Sequence, residues 1–162
     1  MNNIHHISAE GAEKLKEERR HLANEHSLII KAMKDSKEQE SGEESENSEY
    51  MRLQAEMARV QKAVAKIDAH FQCCQIVDYS AKKGKCSDKV LFGCLVELEN
   101  VDNGELSEYR ILGAKESDPK NGVISYLSPL GKELVGKQVG AEVYIETPSE
   151  YDIAYKILSI QF

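Results

Sequence analysis

A chain of 162 residues, 41% hydrophobic and 30% charged, has the size of one ordinary domain or two small ones and exposes much polar surface. No run approaches the roughly 20 apolar residues of a membrane helix, and Met1–Ser8 lacks a basic start followed by an apolar core, so the expected location is the cytoplasm and no membrane partner is expected. The net charge of −7 is concentrated: residues 35–49 carry seven acids (Asp35, Glu38, Glu40, Glu43, Glu44, Glu46, Glu49) against Lys37, a net of −6, so the acidity marks one place and is not a general solubility device.

In chain order, the first residues, with His5 and His6, read as a disordered terminus in which adjacent histidines are incidental. Ser8 is the expected N-cap of a first helix. Between Gly11 and Gly84 the only glycine is Gly42, and all three prolines, Pro119, Pro129 and Pro148, fall in the last third. So long a stretch without breakers predicts extended helix. Ala12, Leu15, Leu22, Ile29 and Met33 follow coiled-coil spacing, with Arg19 and His26 at two seam positions. Gly42, flanked by Ser41 and Ser45, marks a reversal. Tyr50, Leu53, Met57, Val60, Val64, Ile67, Phe71 and Cys74 then alternate steps of three and four, a second and stronger seam. Two helices meeting at Gly42 predict an antiparallel hairpin over residues 1–78, about 30 residues per helix and so roughly 45 Å long. His21, His26 and His70 lie on these helices with no second ligand at a metal-binding spacing.

Residues 79–88, rich in Lys, Ser and Gly, read as a linker. Beyond it, Val90–Leu98, Glu108–Leu112, Val123–Leu127, Glu142–Glu146 and Tyr151–Ile160 read as short strands parted by turns at Asp102-Asn103-Gly104 and Asn121-Gly122. One helical turn interrupts them, with Ser128 as N-cap, Pro129 first and Gly136 past its end. The fold class is thus α+β: a helical hairpin followed, over 89–162, by a twisted antiparallel sheet with one short helix. The four cysteines, Cys73, Cys74, Cys86 and Cys94, match no paired zinc spacing and are expected as reduced, partly buried thiols.

The segment Glu40–Tyr50, E-S-G-E-E-S-E-N-S-E-Y, resembles without a gap the tip motif of the Gre transcript-cleavage factors, E-H-G-D-L-x-E-N-A-E-Y. The run Ile124–Gly140 is similar to that family's S-P-x-x-x-x-L-x-G-K stretch, and Glu10–Leu15, E-G-A-E-K-L, to its opening. The resemblance implies a coiled coil that enters the secondary channel of RNA polymerase and an FKBP-like C-terminal domain that docks on the channel rim. It implies that the chain is not itself an enzyme: two tip carboxylates assist the polymerase in hydrolysing backtracked RNA, near the nascent RNA 3′ end. Position by position, these are Glu43, where the family has Asp, and Glu46. Asn47, Glu49 and Tyr50 match the rest of the tip motif, and Leu127, Ser128 and Pro129 the docking segment. No small-molecule substrate is implied. The branch of the family stays open: Gln75–Ser80 and Ser45–Asn47 lean toward GreB, and the isoelectric point of about 5.3 toward GreA.

The chemistry can be reached from the residues as well. Clustered carboxylates repel a phosphate backbone but suit Mg²⁺, which keeps most of its waters and takes one or two carboxylates. No cofactor of its own is expected; Glu43 and Glu46 would act as ligands only at the Mg²⁺ shared with the polymerase active site, where phosphodiester hydrolysis commonly uses two ions. Glu43 is one methylene longer than the family's Asp, and Glu44 replaces an apolar Leu. Where the family places basic side chains toward the RNA end, this chain has Gln39 and Gln54, with Lys34, Lys37, Arg52 and Arg59 nearby. These departures support an alternative, a channel-occupying modulator or inhibitor that promotes no cleavage. Two weaker readings are a prolyl isomerase in the C-terminal domain, disfavoured because Phe92 and Phe162 are its only phenylalanines and it has no Trp, and a scaffold without a polymerase partner.

Overall fold

A computed structural model describes residues 4–38, 44–146 and 152–162; of 37–38 and 44–47 it describes the backbone alone. The chain divides into two units, one formed by Glu13–Cys73 and the other by the segment up to Ala12 together with Cys74–Phe162.

The first unit is the helical hairpin. Helix α1 spans Ala9–Glu38 and α2 spans Glu44–Gln72. Ser8 caps α1 as expected, its hydroxyl accepting from the Gly11 N–H at 2.9 Å. The stronger seam is that of α2, where Leu53, Val60 and Ile67, one per heptad, are buried, while Met57 is partly so. On α1 only Ile29 is buried within this unit, with Leu22 and Met33 packed against the cluster. The two polar seam positions of α1 find polar partners. Arg19 meets Asp68 at 2.5 Å and His26 Nε2 lies 3.3 Å from Gln61 Nε2, so the polar positions of the seam face polar groups of the other helix.

The second unit centres on a five-stranded sheet of order β5-β4-β3-β7-β6. Its strands are β3 (Leu95–Asn100), β4 (Leu106–Leu112), β5 (Val123–Ser125), β6 (Glu142–Ile145) and β7 (Ile153–Gln161), and helix α3 is Pro129–Leu134. The core holds Val96 and Leu98 of β3, Ile111 of β4, Ile124 of β5, Val143 of β6, Ile157 and Ile160 of β7, and Leu134 of α3. On β3 alternate residues reach the core, the period of two of a strand, whereas on β7 the core residues are three apart, beside an irregularity in its pairing with β3 at Glu97–Leu98.

The α+β architecture stands, with four differences from the sequence-based expectations. The sheet is mixed: β4 and β5 run parallel, Arg110 opposite Val123, although Asn121-Gly122 suggests a hairpin. That pair instead closes a 3-10 turn at Pro119–Asn121, with Gly122 at φ +69°. The strand expected from Val90 begins at Leu95, because Gly93 adopts φ +92° and breaks the extended run; Val90 is buried all the same. The terminus expected to be disordered forms β1 (His5–Ser8), which pairs in parallel with β2 (Cys74–Val77) and buries Ile7 and Ser8. Residues up to Ala12 and from Cys74 therefore belong with the sheet, and the change of unit falls at Cys73–Cys74, ahead of the boundary at 78. Nor is the start of the expected linker loose: Tyr79 is buried against Gly93, where an added Cβ would lie 2.6 Å from its ring. Of the cysteines, Cys94 is buried in the core, where burial pushes its thiol up, and Cys73 and Cys86 are exposed.

Candidate functional site

The acidic segment lies where the chain reverses. Helix α1 ends at Glu38 and α2 begins at Glu44, so the turn between the helices falls inside the run of seven acids. Gln39, Gly42 and Glu43 lie outside the described residues. Glu46 and Asn47 belong to the first turns of α2, where the free N–H groups of a helix start favour carboxylates. Lys37 is the penultimate residue of α1.

Around this end the described side chains are engaged. Glu49 pairs with Arg52 one turn on, at 2.8 Å. Tyr50, Ile30, Met33, Lys34 and Met57 line a shallow groove of about 200 Å³ between the helices. Gln54 is exposed. Arg59 pairs with Glu25 across the hairpin, which ties it to the arm's own surface. Of the four cations expected near the RNA end, Arg52 and Arg59 are thus held in ion pairs and Lys34 borders the groove. Among the described residues no three His, Cys, Asp or Glu side chains gather to hold a metal ion.

The other candidate segment surrounds the start of α3. Ser128 caps it: its hydroxyl accepts from the Gly131 N–H at 3.1 Å and donates to the Ser125 carbonyl at 2.6 Å. Pro129 occupies the first turn, where its missing N–H costs nothing. A Cβ on Gly131 would lie 2.9 Å from the Tyr126 Cα, so glycine lets the preceding loop fold back against the helix. Leu134 is fully buried and Gly136, at φ +85°, takes the left-handed position after the helix. Most of this motif therefore serves the fold. Of the three expected docking residues, Leu127, 38% exposed, and Pro129 face solvent, as do Lys132, Glu133 and Val135 further along.

Sequence reading missed a second polar centre in this unit, around Glu116. It binds the start of α1, 108 residues away in sequence. Beside it, His6, Phe92 and Tyr126 pack ring against ring with centroids 5.5–5.9 Å apart, and the Tyr126 hydroxyl accepts from the His6 N–H at 3.1 Å. His5 and His6 are therefore strand residues. Only the E-G-A run at Glu10–Ala12 hinted at a constraint here, since a glycine in a helix's first turn calls for a reason.

One unit is thus a hairpin of two long helices and the other a small domain built on a mixed sheet. Residues 5–76 match the family model for the N-terminal part of transcription elongation factors, and residues 84–162 that for the C-terminal part of GreA/GreB. The chain belongs to the GreA/GreB family of transcription elongation factors. It is 36% identical to the transcription elongation factor GreA of Desulfovibrio desulfuricans over 96% of this chain and 93% of that one. It is also 36% identical to the GreA of Thermodesulfovibrio yellowstonii, over 96% of each. Among solved structures it is similar to Gfh1 of Thermus aquaticus, with 21% identity, a TM-score of 0.43 and 99% of each chain covered. No helix among the described residues is long and apolar enough to cross a membrane.

Proposed function

We propose that this elongation factor binds RNA polymerase through the α3 segment, inserts its helical arm into the secondary channel, and stimulates the polymerase's own cleavage of backtracked nascent RNA without being an enzyme by itself. The observation that carries the reading is the position of the acidic run: the break between Glu38 and Glu44 puts the chain reversal inside it, at the end of two helices of 30 and 29 residues. Such an arm has a narrow core and is built for reach. The polymerase supplies the fold around the reaction.

In this reading Leu127 and Pro129 meet the polymerase, and Ser128 holds their loop through its two hydrogen bonds. Glu43 and Glu46 offer oxygen donors beside the 3′ end of the RNA. They would do so at Mg²⁺ bound by the polymerase, an ion that would activate water and offset charge on the leaving oxygen. Two carboxylates fit an ion that keeps several waters, and they fall short of the six to eight oxygens of an autonomous calcium cage. Glu49, paired with Arg52, remains outside the reaction as part of the arm's surface. The setting is the cytoplasm, where the polymerase works.

The test uses purified polymerase stalled in a backtracked complex. The wild-type chain should shorten the RNA by releasing short 3′ fragments. Glu46→Ala should bind the polymerase with unchanged affinity and cleave at least about a hundredfold more slowly, the scale set by misplacing a reacting group by roughly an ångström. Full cleavage by that variant would remove Glu46 from the reaction. Slower synthesis with no 3′ fragments from the wild type would instead favour a channel-occupying inhibitor, the reading that Glu43 and Glu44 support.

A further inference from the structure

The Glu116 side chain accepts three hydrogen bonds from described residues of the sheet unit. It stands in the turn after β4, its N–H donating to the Gly113 carbonyl at 3.1 Å. Its Oε2 accepts from the Ser8 N–H at 3.0 Å and from the Gly113 N–H at 3.1 Å, and its Oε1 accepts from the Ser8 hydroxyl. That same hydroxyl caps α1. Two glycines make the room. A Cβ on Gly11 would lie 2.5 Å from the Glu116 carboxyl carbon, and one on Gly113 would lie 3.0 Å from Oε2 and overlap the His6 carbonyl. One carboxylate thus joins the end of β1, the first turn of α1 and the turn after β4. In that first turn Glu10 also pairs with Lys83 at 2.7 Å.

A carboxylate beside the start of a helix is favoured by the free N–H groups there, and a charge-assisted hydrogen bond is stronger than a neutral one. Helix α1 runs unbroken from Ala9 to Glu38, so slack in its first turn is carried along its length. A tilt of about 5° at the base of a helix roughly 45 Å long moves its far end by about 4 Å. The chemistry proposed for the tip loses about a hundredfold in rate for a misplacement of about 1 Å.

We propose that Glu116 is a positioning residue for transcript cleavage, fixing the first turn of α1 within the sheet unit that also carries the α3 docking segment. The inference rests on the cleavage reading above. Gly11 and Gly113 are parts of the same anchor, which explains why the E-G-A motif needs its glycine: any side chain there displaces the carboxylate.

The test compares the full chain with Glu116→Ala, Glu116→Gln and Ser8→Ala in the backtracked-complex assay, titrated to saturation, with hydrogen exchange followed in the free proteins. Glu116→Ala should leave the half-saturating concentration within about twofold and lower the saturated cleavage rate about tenfold or more. The Ser8 and Gly11 amides should exchange about tenfold faster while those of β3 and β7 do not change. Glu116→Gln keeps one acceptor oxygen and should fall between, and Ser8→Ala should shift rate and exchange in the same sense. A variant that loses protection in β3 and β7 is globally destabilised, and the milder Ser8→Ala and Glu116→Gln then decide. Unchanged exchange at Ser8 and Gly11, an unchanged saturated rate, or a loss seen only in half-saturation overturns the proposal. If the wild type releases no 3′ fragments, the cleavage reading fails first, and the exchange rates still show whether the anchor exists.

Discussion

Arg19 occupies a seam position where coiled coils ordinarily place an aliphatic side chain, and Asp68 on the facing helix makes this tolerable. The hydrogen bond from Arg19 holds the Asp68 carboxyl below its usual range, with the guanidinium charge adding to it against the opposing effect of burial. Unfolding returns the carboxyl to its ordinary value, so the pair's contribution is complete above that value and is lost as pH falls through the lower, folded-state one. The arm should therefore lose stability on acidification below about pH 4. Asp68→Asn should flatten that part of the curve of thermal midpoint against pH, and an unchanged slope would show the pair to be idle. Both residues are half exposed, so the effect at neutral pH is small. Asp68 and Glu116 share a reason for having been illegible in sequence. Each acts on a partner 49 or 108 residues away, and no local spacing announces such a pair. Arg19, by contrast, showed itself by interrupting an apolar series.

At the scale of elements, periodicity was a good guide wherever one stripe of a long helix is buried. The α2 seam named Leu53, Val60 and Ile67 without structural help, and Ile29 likewise on α1. Its neighbour Leu28 is 69% exposed, which offers a contrast within one turn. Ile29→Ala should cost the arm about 2–5 kcal/mol, and Leu28→Ala should stay within about 0.5 kcal/mol, both read from urea unfolding followed by helical circular dichroism. Equal effects would mean that the helix is turned differently. Short strands were less legible. Val90 and Cys94 are as buried as any strand residue, yet Gly93 between them takes a left-handed backbone, so apolar content alone extended the first strand too far. The parallel pairing of β4 with β5 was hidden because Asn121-Gly122 serves equally well to end a 3-10 turn. At the reversal the motif was readable throughout, and the structure adds where the flanking helices stop.

For the whole molecule, the division into two units assigns the first residues to the sheet, and that assignment can be tested. Ile7 is 1% exposed, and burying such a side chain is worth about 1.5–3 kcal/mol. Ser8 adds the hydrogen bonds to Glu116. Deleting residues 1–8 should therefore lower protection against hydrogen exchange in β3 and β7 by about 2–5 kcal/mol, while amides around Val60 in the arm stay unchanged. If β3 and β7 kept their full protection, β1 would be an ornament on the sheet unit. The sequence suggested the opposite, because a polar terminus with two histidines has the composition of a loose end; burial of its last two residues is a tertiary fact that composition does not carry.

The separation of Ser8 from Glu116 also dictates an order of events on the ribosome. The two arm helices can zip together as soon as both have emerged, since they follow one another in sequence. The first strand can pair with β2 once Cys74–Val77 are made, but the bonds from Ser8 to Glu116 must wait for a residue 108 positions later, and such distant closures are slow. A nascent chain halted before Glu116 would thus present a finished lever on an unfinished mount.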